Sequence, residues 1–544
     1  MAATNGVNGL GIVDIETDVL IIGGGFGGVY SIYRFRQLGL SVKLIEAGSD
    51  FGGVWHWNRY FGARVDSEAP FYQLSISKVW KTWNWSEQFP GHEELRRYFA
   101  HCDKALDLRK DAIFNTIVEG VTYEDGHWIS RTRDGRIAKS KYLVLATGSS
   151  YKRYYPDFKD MGKYKGTLMH SAVFPGSGLD TKGKKVAVIG NGATGVQIVQ
   201  ELARTDCDLS LYVRTPNIAL PTHQRPLSAQ EQENTKQFYE SLFRVAKQHR
   251  SGFPYNSPAT SFWDASPEQR EAYWEELWGR GGFSFLISNY REFLMDTEAN
   301  KLMYGFWMRK TRERISDKRK ADILALVQQK QWIGMKRPSL EQDYYEAVDR
   351  ENVTLLDLNQ AGIERFDESG IVTADGVRRE YDVVILATGY DSMTGSLMDL
   401  KARDVNSVEL REKWKDGVYT YLGLMIPDMP NLLMVYSPQA PTALSNGPPI
   451  IEIQVDWIVD AISKMREGGV EAVTPRWEAA RKWRQDIQDM NEQTLYPLAN
   501  SWYMGANIPG KVREQLIYIG GVDLYERIAR EALRTWVGFD VAKS

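Results

Sequence analysis

Two glycine-rich turns in this chain have the residue types and spacing needed to hold nucleotide pyrophosphates. Gly23-Gly24-Gly25-Phe26-Gly27-Gly28 follows the apolar run Val19-Leu20-Ile21-Ile22, and Gly190-Asn191-Gly192-Ala193-Thr194-Gly195 follows Val186-Ala187-Val188-Ile189. In each, the first, third and sixth positions are glycine: Gly23, Gly25 and Gly28, then Gly190, Gly192 and Gly195. Glycine there lets the backbone approach a pyrophosphate resting on the N-terminus of the next helix. A lone turn of this kind is a weak signal, and its bland reading is a structural bend without a ligand. What separates these two is the charge about 20 residues further on, where a ribose is read. After the first turn that residue is Glu46, ending Val42-Lys43-Leu44-Ile45. Its carboxylate accepts from ribose hydroxyls and repels a 2′-phosphate. After the second it is Arg214, ending Leu209-Ser210-Leu211-Tyr212-Val213, and a guanidinium favours that phosphate. The contrast predicts two different dinucleotides, FAD at the first turn and NADPH at the second.

These residues require a particular set of elements to position them. Each turn needs a buried parallel strand before it and a helix after it. Two further apolar strands end in the same small-residue turn, at Tyr142–Gly148 and Val383–Gly389, both closing on Ala-Thr-Gly. Two glycine turns and two such strands predict an α/β fold with two Rossmann-like dinucleotide-binding domains, nested, plus a helical insertion. The expected division is a flexible lead at 1–17, an FAD domain at 18–154 and 386–544, an NADP domain at 155–215 and 330–385, and the insertion at 216–329. Within the insertion, Ser266-Pro267-Glu268-Gln269 reads as a capping box with proline at the first helical position. The helix it opens has an apolar stripe of Trp274, Leu277 and Trp278 and is expected to stop at Gly279 and Gly281. Lys301–Ile315 is rich in helix formers. Another helix is expected from about Ile450 to Arg466, with Trp457, Ala461 and Met465 on one face, ending at Gly468-Gly469.

Composition narrows the function classes. Lys plus Arg number 67 against 70 Asp plus Glu, for a net charge of −3 over 544 residues. That balance argues against nucleic-acid binding. Two distant cysteines, Cys102 and Cys207, allow no disulfide framework, zinc cluster or CxxC pair, so no metal is expected and the compartment reads as reducing. No run reaches the ~18 apolar residues of a membrane span, and the first residues lack a secretory pattern. The expectation is a soluble, cytoplasmic protein, monomeric by default. Of 17 tryptophans, most are expected in cores, while Trp55, Trp57, Trp80, Trp83 and Trp85 cluster where rings could wall the flavin site.

The stretch Gly52-Gly53-Val54-Trp55-His56-Trp57-Asn58-Arg59-Tyr60-Phe61-Gly62-Ala63-Arg64-Val65-Asp66 follows Glu46 closely and is dense in glycine, aromatics and charge. From its residues alone it reads as a cofactor-contacting loop, and Asp66 as a solvated carboxylate. The stretch resembles the flavin-side motif of Baeyer–Villiger monooxygenases, matching at Gly52, Gly53, Trp55, Tyr60, Gly62 and Asp66. It departs at Phe61, where the family has proline, a change expected to loosen the turn. A second family motif is similar at Tyr164-Lys165-Gly166-Thr167-Leu168-Met169-His170-Ser171-Ala172-Val173-Phe174-Pro175, with Gly166, His170 and Pro175 matching and aromatic replacements at Tyr164 and Phe174. The likeness runs from about residue 18 to about 535 with motif order kept, and is nearest the branch that includes phenylacetone and steroid monooxygenases.

The resemblance implies the rest of the site. It places Val54, Trp55, Trp57, Asp66, Tyr72 and Val118 among the cofactor contacts and makes His170 a linker residue coupling domain motion. The alternative for a lone histidine is a satisfied structural group. In Gly334-Met335-Lys336-Arg337-Pro338, otherwise a solvated cation pair, Lys336 would join Arg214 on the 2′-phosphate and Arg337 would reach the flavin. Ala443, Leu444 and Gly447 would border the substrate, with Gly447 small enough to widen the pocket. Trp502 would ride a mobile loop that closes over NADP. The activity implied is NADPH- and O2-dependent conversion of a ketone to an ester or lactone through a flavin C4a-peroxide, with Arg337 and Asp66 catalytic. An N- or S-oxygenating flavin monooxygenase and a flavoprotein that only senses NADPH are the competing readings. A disulfide reductase is excluded by the missing CxxC.

Overall fold

The computed structural model describes residues 13–543. Two parallel sheets organise it, each built around one glycine turn. In the first, Ile15–Ile22 lies between Val42–Ile45 and Ile137–Leu145, all parallel. Val19, Leu20 and Ile21 are wholly buried, because helices cover both faces of such a sheet and leave a continuous apolar run. The short strand Ala112–Ile113 extends one edge, and antiparallel His127–Thr132 and Val118–Glu124 extend the other side. Leu432–Met434 also pairs with the end of Ile137–Leu145, so this sheet is completed by a segment far along the chain.

The second sheet runs Val353–Asp357, Cys207–Val213, Lys184–Ile189, Val383–Leu386, Thr167–His170, every pair parallel. All its strands fall between the first sheet's Ile137–Leu145 and Leu432–Met434. Between Val213 and Val353 the chain is mainly helical, with helices at Ala229–Lys236, Tyr239–Gln248, Pro267–Arg280, Thr297–Arg312 and Lys318–Leu324. One parallel strand pair, Ala219–Pro221 with Ser339–Glu341, closes this segment at its base.

The local signals fare differently at element ends. Ser266 accepts from the Gln269 N–H, and the Gln269 side chain returns the bond, completing the capping box. Trp274, Leu277 and Trp278 are the buried residues of that helix. Gly279 does not stop it: the helix continues to Arg280 and ends at Gly281, whose φ of +73° leaves the helical region. The long C-terminal helix spans Gly447–Glu467 and begins earlier than its apolar face suggests. Pro448 and Pro449 occupy the first turn, where a missing N–H costs nothing. Of the lead expected at 1–17, residues 1–12 lie outside the described residues. Ile15, Glu16 and Thr17 are already strand, paired with Ala138, Lys139 and Ser140; backbone pairing holds even the polar positions in the sheet. Among the described residues no helix is long and apolar enough to cross a membrane, no group of ligands suits a metal ion, and Cys102 and Cys207 are buried and free.

Candidate active site and cofactor cleft

The first turn is held by contacts only glycine permits. Gly23 has φ +110°, and a Cβ on it would collide with the Ala146 carbonyl; one on Gly28 would collide with the Gly23 carbonyl. Strand and helix are thus pressed together. Gly25 caps the helix Phe26–Gln37 without any side-chain hydrogen bond, which leaves first-turn N–H groups free to meet an anion. A Cβ on Gly53 would lie 2.8 Å from the Gly25 Cα, so the second glycine-rich segment stacks directly on the first. Beyond them opens a cavity of about 600 Å³ lined by Gly23–Gly27, Glu46, Val54, Trp57, Tyr72, Val118 and Gly447. The Glu46 carboxylate accepts from the Gly24 and Gly48 N–H groups, each at 2.6 Å. Burial raises its pKa and the two N–H bonds oppose the rise. An uncapped helix end, a cradle that any Cβ would fill and a fixed carboxylate suit a dinucleotide whose ribose carries no 2′-phosphate. These residues fit FAD.

The second turn repeats the device. Gly190 has φ +112° and its Cβ would lie 2.5 Å from the Ala387 carbonyl oxygen, while one on Gly195 would strike the Gly190 carbonyl. Gly192 caps the helix Ala193–Leu202, again without a side-chain bond. Arg214 follows the strand Cys207–Val213 and is exposed. Lys336 is exposed on the surface yet has many protein atoms around it; this desolvation first, and then the charge of Arg214, lower its pKa. Among the described residues neither cation pairs with a carboxylate. Two like charges held together without a carboxylate partner would suit a dianion.

Arg337 and Asp66 meet across the molecule. Arg337 Nε donates to Asp66 Oδ2 at 2.7 Å and Nη2 to Oδ1 at 2.9 Å, a bidentate fork, while Nη1 donates to the Ala443 carbonyl at 2.6 Å. A guanidinium has five N–H donors, so two remain for another acceptor. Its carbon lies 4.6 Å from the Phe283 ring centre. Burial lowers the Arg337 pKa, but the charge and hydrogen bonds of Asp66 outweigh that and hold the guanidinium cationic. The chain that supplies the Ala443 carbonyl is bent repeatedly: Tyr436, Gln439 and Ala443 have φ of +58°, +63° and +65°. Such angles are uncommon for residues with a Cβ and persist where surroundings over-determine them. Here the Gln439 amide accepts from Thr420 Oγ1 at 2.7 Å and donates to the Val418 carbonyl at 2.7 Å. Tyr436 N–H donates to Gln454 Oε1 at 2.8 Å.

Not every residue singled out in the sequence reaches the cleft. Val54, Trp57, Tyr72 and Val118 do. Trp55 is buried instead, its indole N–H donating to the Tyr72 hydroxyl at 3.1 Å, and so supports the wall from behind. Trp80, Trp83 and Trp85 do not wall the flavin site. Trp83 meets Trp85 and Tyr98 edge-on at 5.5 and 5.6 Å, and Trp80 meets Tyr239 at 5.5 Å; they pack the neighbouring helices, as most large aromatics do. Ala443 and Leu444 lie off this cleft, and Ala443 contributes its carbonyl. Gly447 lines the cleft, where a methyl group would only touch Tyr436, at 3.8 Å. Trp502 sits on a short turn, Trp502–Met504, its ring 4.5 Å from that of Tyr503.

His170 ends an edge strand of the second sheet. Its Nδ1 accepts from the Ala172 N–H at 3.1 Å and its Nε2 donates to the Gly389 carbonyl at 3.0 Å. Burial pushes its pKa down to about 4, so the ring is neutral. The Phe61 ring packs edge-on against Phe174 at 5.5 Å, so two of the three aromatic departures from the family motifs touch. Phe283 and Tyr503 lie beside Arg337 and Tyr436 lines the cleft, without any local sequence pattern to announce them.

Known proteins bear on this geometry. Residues 17–238 match the family model described as pyridine nucleotide-disulphide oxidoreductase. The cyclopentanone 1,2-monooxygenase of Comamonas sp. is 38% identical over 533 residues, covering 97% of this chain and 97% of that protein. A Baeyer-Villiger monooxygenase of Pseudooceanicola batsensis is 34% identical over 518 residues, 94% of each. The solved structure of OTEMO in complex with FAD and NADP is 32% identical and superposes with a TM-score of 0.92 over 97% of this chain and 99% of that one. With the two cofactor turns and the arginine–aspartate fork in place, this chain belongs to the Baeyer–Villiger monooxygenases, as an oxidoreductase dependent on FAD and NADPH.

Proposed function

We propose that this enzyme converts ketones, small cyclic ones such as cyclopentanone among them, into esters or lactones, with Arg337 and Asp66 at the reacting carbonyl. The net reaction consumes ketone, O2, NADPH and a proton and yields ester, NADP+ and water. FAD, when bound, supplies hydride acceptance and the activation of dioxygen; the remaining work falls to the side chains. The unit built on the first sheet holds FAD through Gly23, Gly25, Gly28 and Glu46, with Val54, Trp57, Tyr72 and Val118 around it and Trp55 bracing Tyr72. The unit built on the second holds NADPH through Gly190, Gly192 and Gly195, with Arg214 and Lys336 on the 2′-phosphate. His170 ties the linker to the second unit. We place the enzyme in the cytoplasm, in keeping with two buried unpaired cysteines.

The observation that carries the reading is the three-bond anchorage of Arg337 with two N–H groups left over. A permanent cation held this firmly is preorganised for the negative charge that develops on an attacked carbonyl oxygen. Asp66 keeps the fork in register and does not act as a base. The Trp502 turn closes the site against water, which otherwise diverts activated oxygen to hydrogen peroxide. The deciding experiment is Arg337→Ala with product analysis on a ketone panel. Loss of one such donor costs ~100- to 1000-fold in rate, so ester should vanish while NADPH still bleaches the flavin. An unchanged ester yield would overturn the assignment.

A further inference from the structure

The loop that carries Asp66 is fastened to the helix that opens at the second glycine turn, and one amide, Gln197, bonds it there at two points. Gln197 lies on the helix Ala193–Leu202 and is 8% exposed. Its Oε1 accepts from the Tyr60 hydroxyl at 2.9 Å, and its Nε2 donates to the Arg64 carbonyl at 3.2 Å. The two partners flank Gly62, whose φ is +72° and where a Cβ would come within 2.7 Å of the Gln197 carbonyl oxygen. The loop therefore lies flat on the helix, backbone against backbone, with the amide bonded to both shoulders of its turn. Asp66 is two residues beyond Arg64.

A Tyr60–Gln197–Arg64 clamp serves no obvious need of the helix, since neither bond caps it or fills its ladder. What it does is fix the distance between two things: the turn at Gly190–Gly195 and the carboxylate that orients Arg337. We infer that Gln197 is a positioning residue, setting the Asp66–Arg337 fork in register with the nicotinamide nucleotide held by its own helix. This rests on the reading of Arg337 as the carbonyl-binding cation. It predicts that loosening the clamp leaves electron entry intact and misplaces the fork. A misplacement of about 1 Å costs up to roughly 100-fold in a well-oriented reaction.

The test uses the full-length holoenzyme with cyclopentanone and reads two quantities: the rate at which saturating NADPH reduces the flavin, and ester formed per NADPH consumed, with hydrogen peroxide making up the balance. Gln197→Met keeps length and burial but loses both bonds. It should leave flavin reduction unchanged and cut ester per NADPH by roughly 10- to 100-fold. Tyr60→Phe removes one bond and should shift the same ratio less, and the double variant should be no worse than Gln197→Met alone, since both act through one clamp. If Gln197→Met fails to retain FAD, Tyr60→Phe decides alone. Parental ester per NADPH, or a parallel fall in reduction and ester, overturns the inference. Normal ester from Arg337→Ala would bring down the underlying reading instead, whatever Gln197 does.

Discussion

The two glycine turns have nearly the same backbone and very different surroundings. Gly23 and Gly190 have φ of +110° and +112°, and each abuts the alanine of its Ala-Thr-Gly strand end, Ala146 or Ala387. Both following helices lack a side-chain cap. Around this shared frame, the first turn is enclosed by the Gly52–Gly53 segment and faces a carboxylate already bonded to two N–H groups. The second faces two cations, Arg214 and Lys336, that pair with no carboxylate among the described residues. On the proposed reading, the backbone device holds a pyrophosphate and the charge at the next strand end selects which dinucleotide brings it.

The comparison can be broken most severely at the glycines. Gly195→Ala puts a Cβ onto the Gly190 carbonyl, a collision the backbone must move to relieve. We expect protein that is yellow with bound FAD yet is no longer reduced by NADPH in a stopped-flow mix. Gly28→Ala should do the converse, giving colourless protein with the second site intact. Colour in both, with normal reduction, would show the turns are not cofactor cradles.

Charge at the strand ends comes next. Arg214→Ala removes a charged partner of the 2′-phosphate, worth about 1.5–3 kcal/mol or roughly 10- to 100-fold. The loss should fall on kcat/KM for NADPH, with NADH little affected; an equal loss for both coenzymes would remove Arg214 from the phosphate. Glu46→Gln keeps one acceptor for the Gly24 and Gly48 N–H groups. It should weaken FAD by about 10-fold, read as FAD released on dilution and followed by its fluorescence.

The last effect falls on stability, not on catalysis or cofactor affinity, and concerns His170. The folded pKa of His170, about 4, lies below its ordinary 6.5, so between those values the unfolded chain binds the extra proton. The stability involved is therefore fully present above pH 6.5 and is lost as pH falls toward 4. It is on the order of 3 kcal/mol. His170→Gln cannot titrate, so its Tm should decline less steeply from pH 6.5 to 4.5 than the parent's. Parallel declines would mean that the ring is already charged in the fold.

Elements with local causes were legible in advance. The capping box at Ser266, the apolar stripe through Trp274 and Trp278, and both strand–turn–helix units follow from near-neighbour geometry and spacing. Helix ends were less so, as Gly279 inside a helix and the prolines opening another illustrate, because a single glycine or proline permits a boundary without enforcing it. The tryptophans at 80, 83 and 85 misled for a different reason. Closeness along the chain to a cofactor loop says nothing about which face of the intervening helix a ring will take.

The residues alone determined that two dinucleotides of opposite ribose chemistry are held, since φ at a glycine and charge at a strand end are local properties. The family resemblance already implied that Asp66 holds Arg337, and only the tertiary structure decided the rest: the two-bond geometry of that grip across 271 positions, that Ala443 offers its carbonyl, and that Gln197 joins the two units. Hydrogen bonds between distant segments depend on how whole sheets and helices come to rest against one another, and no short stretch of chain encodes that.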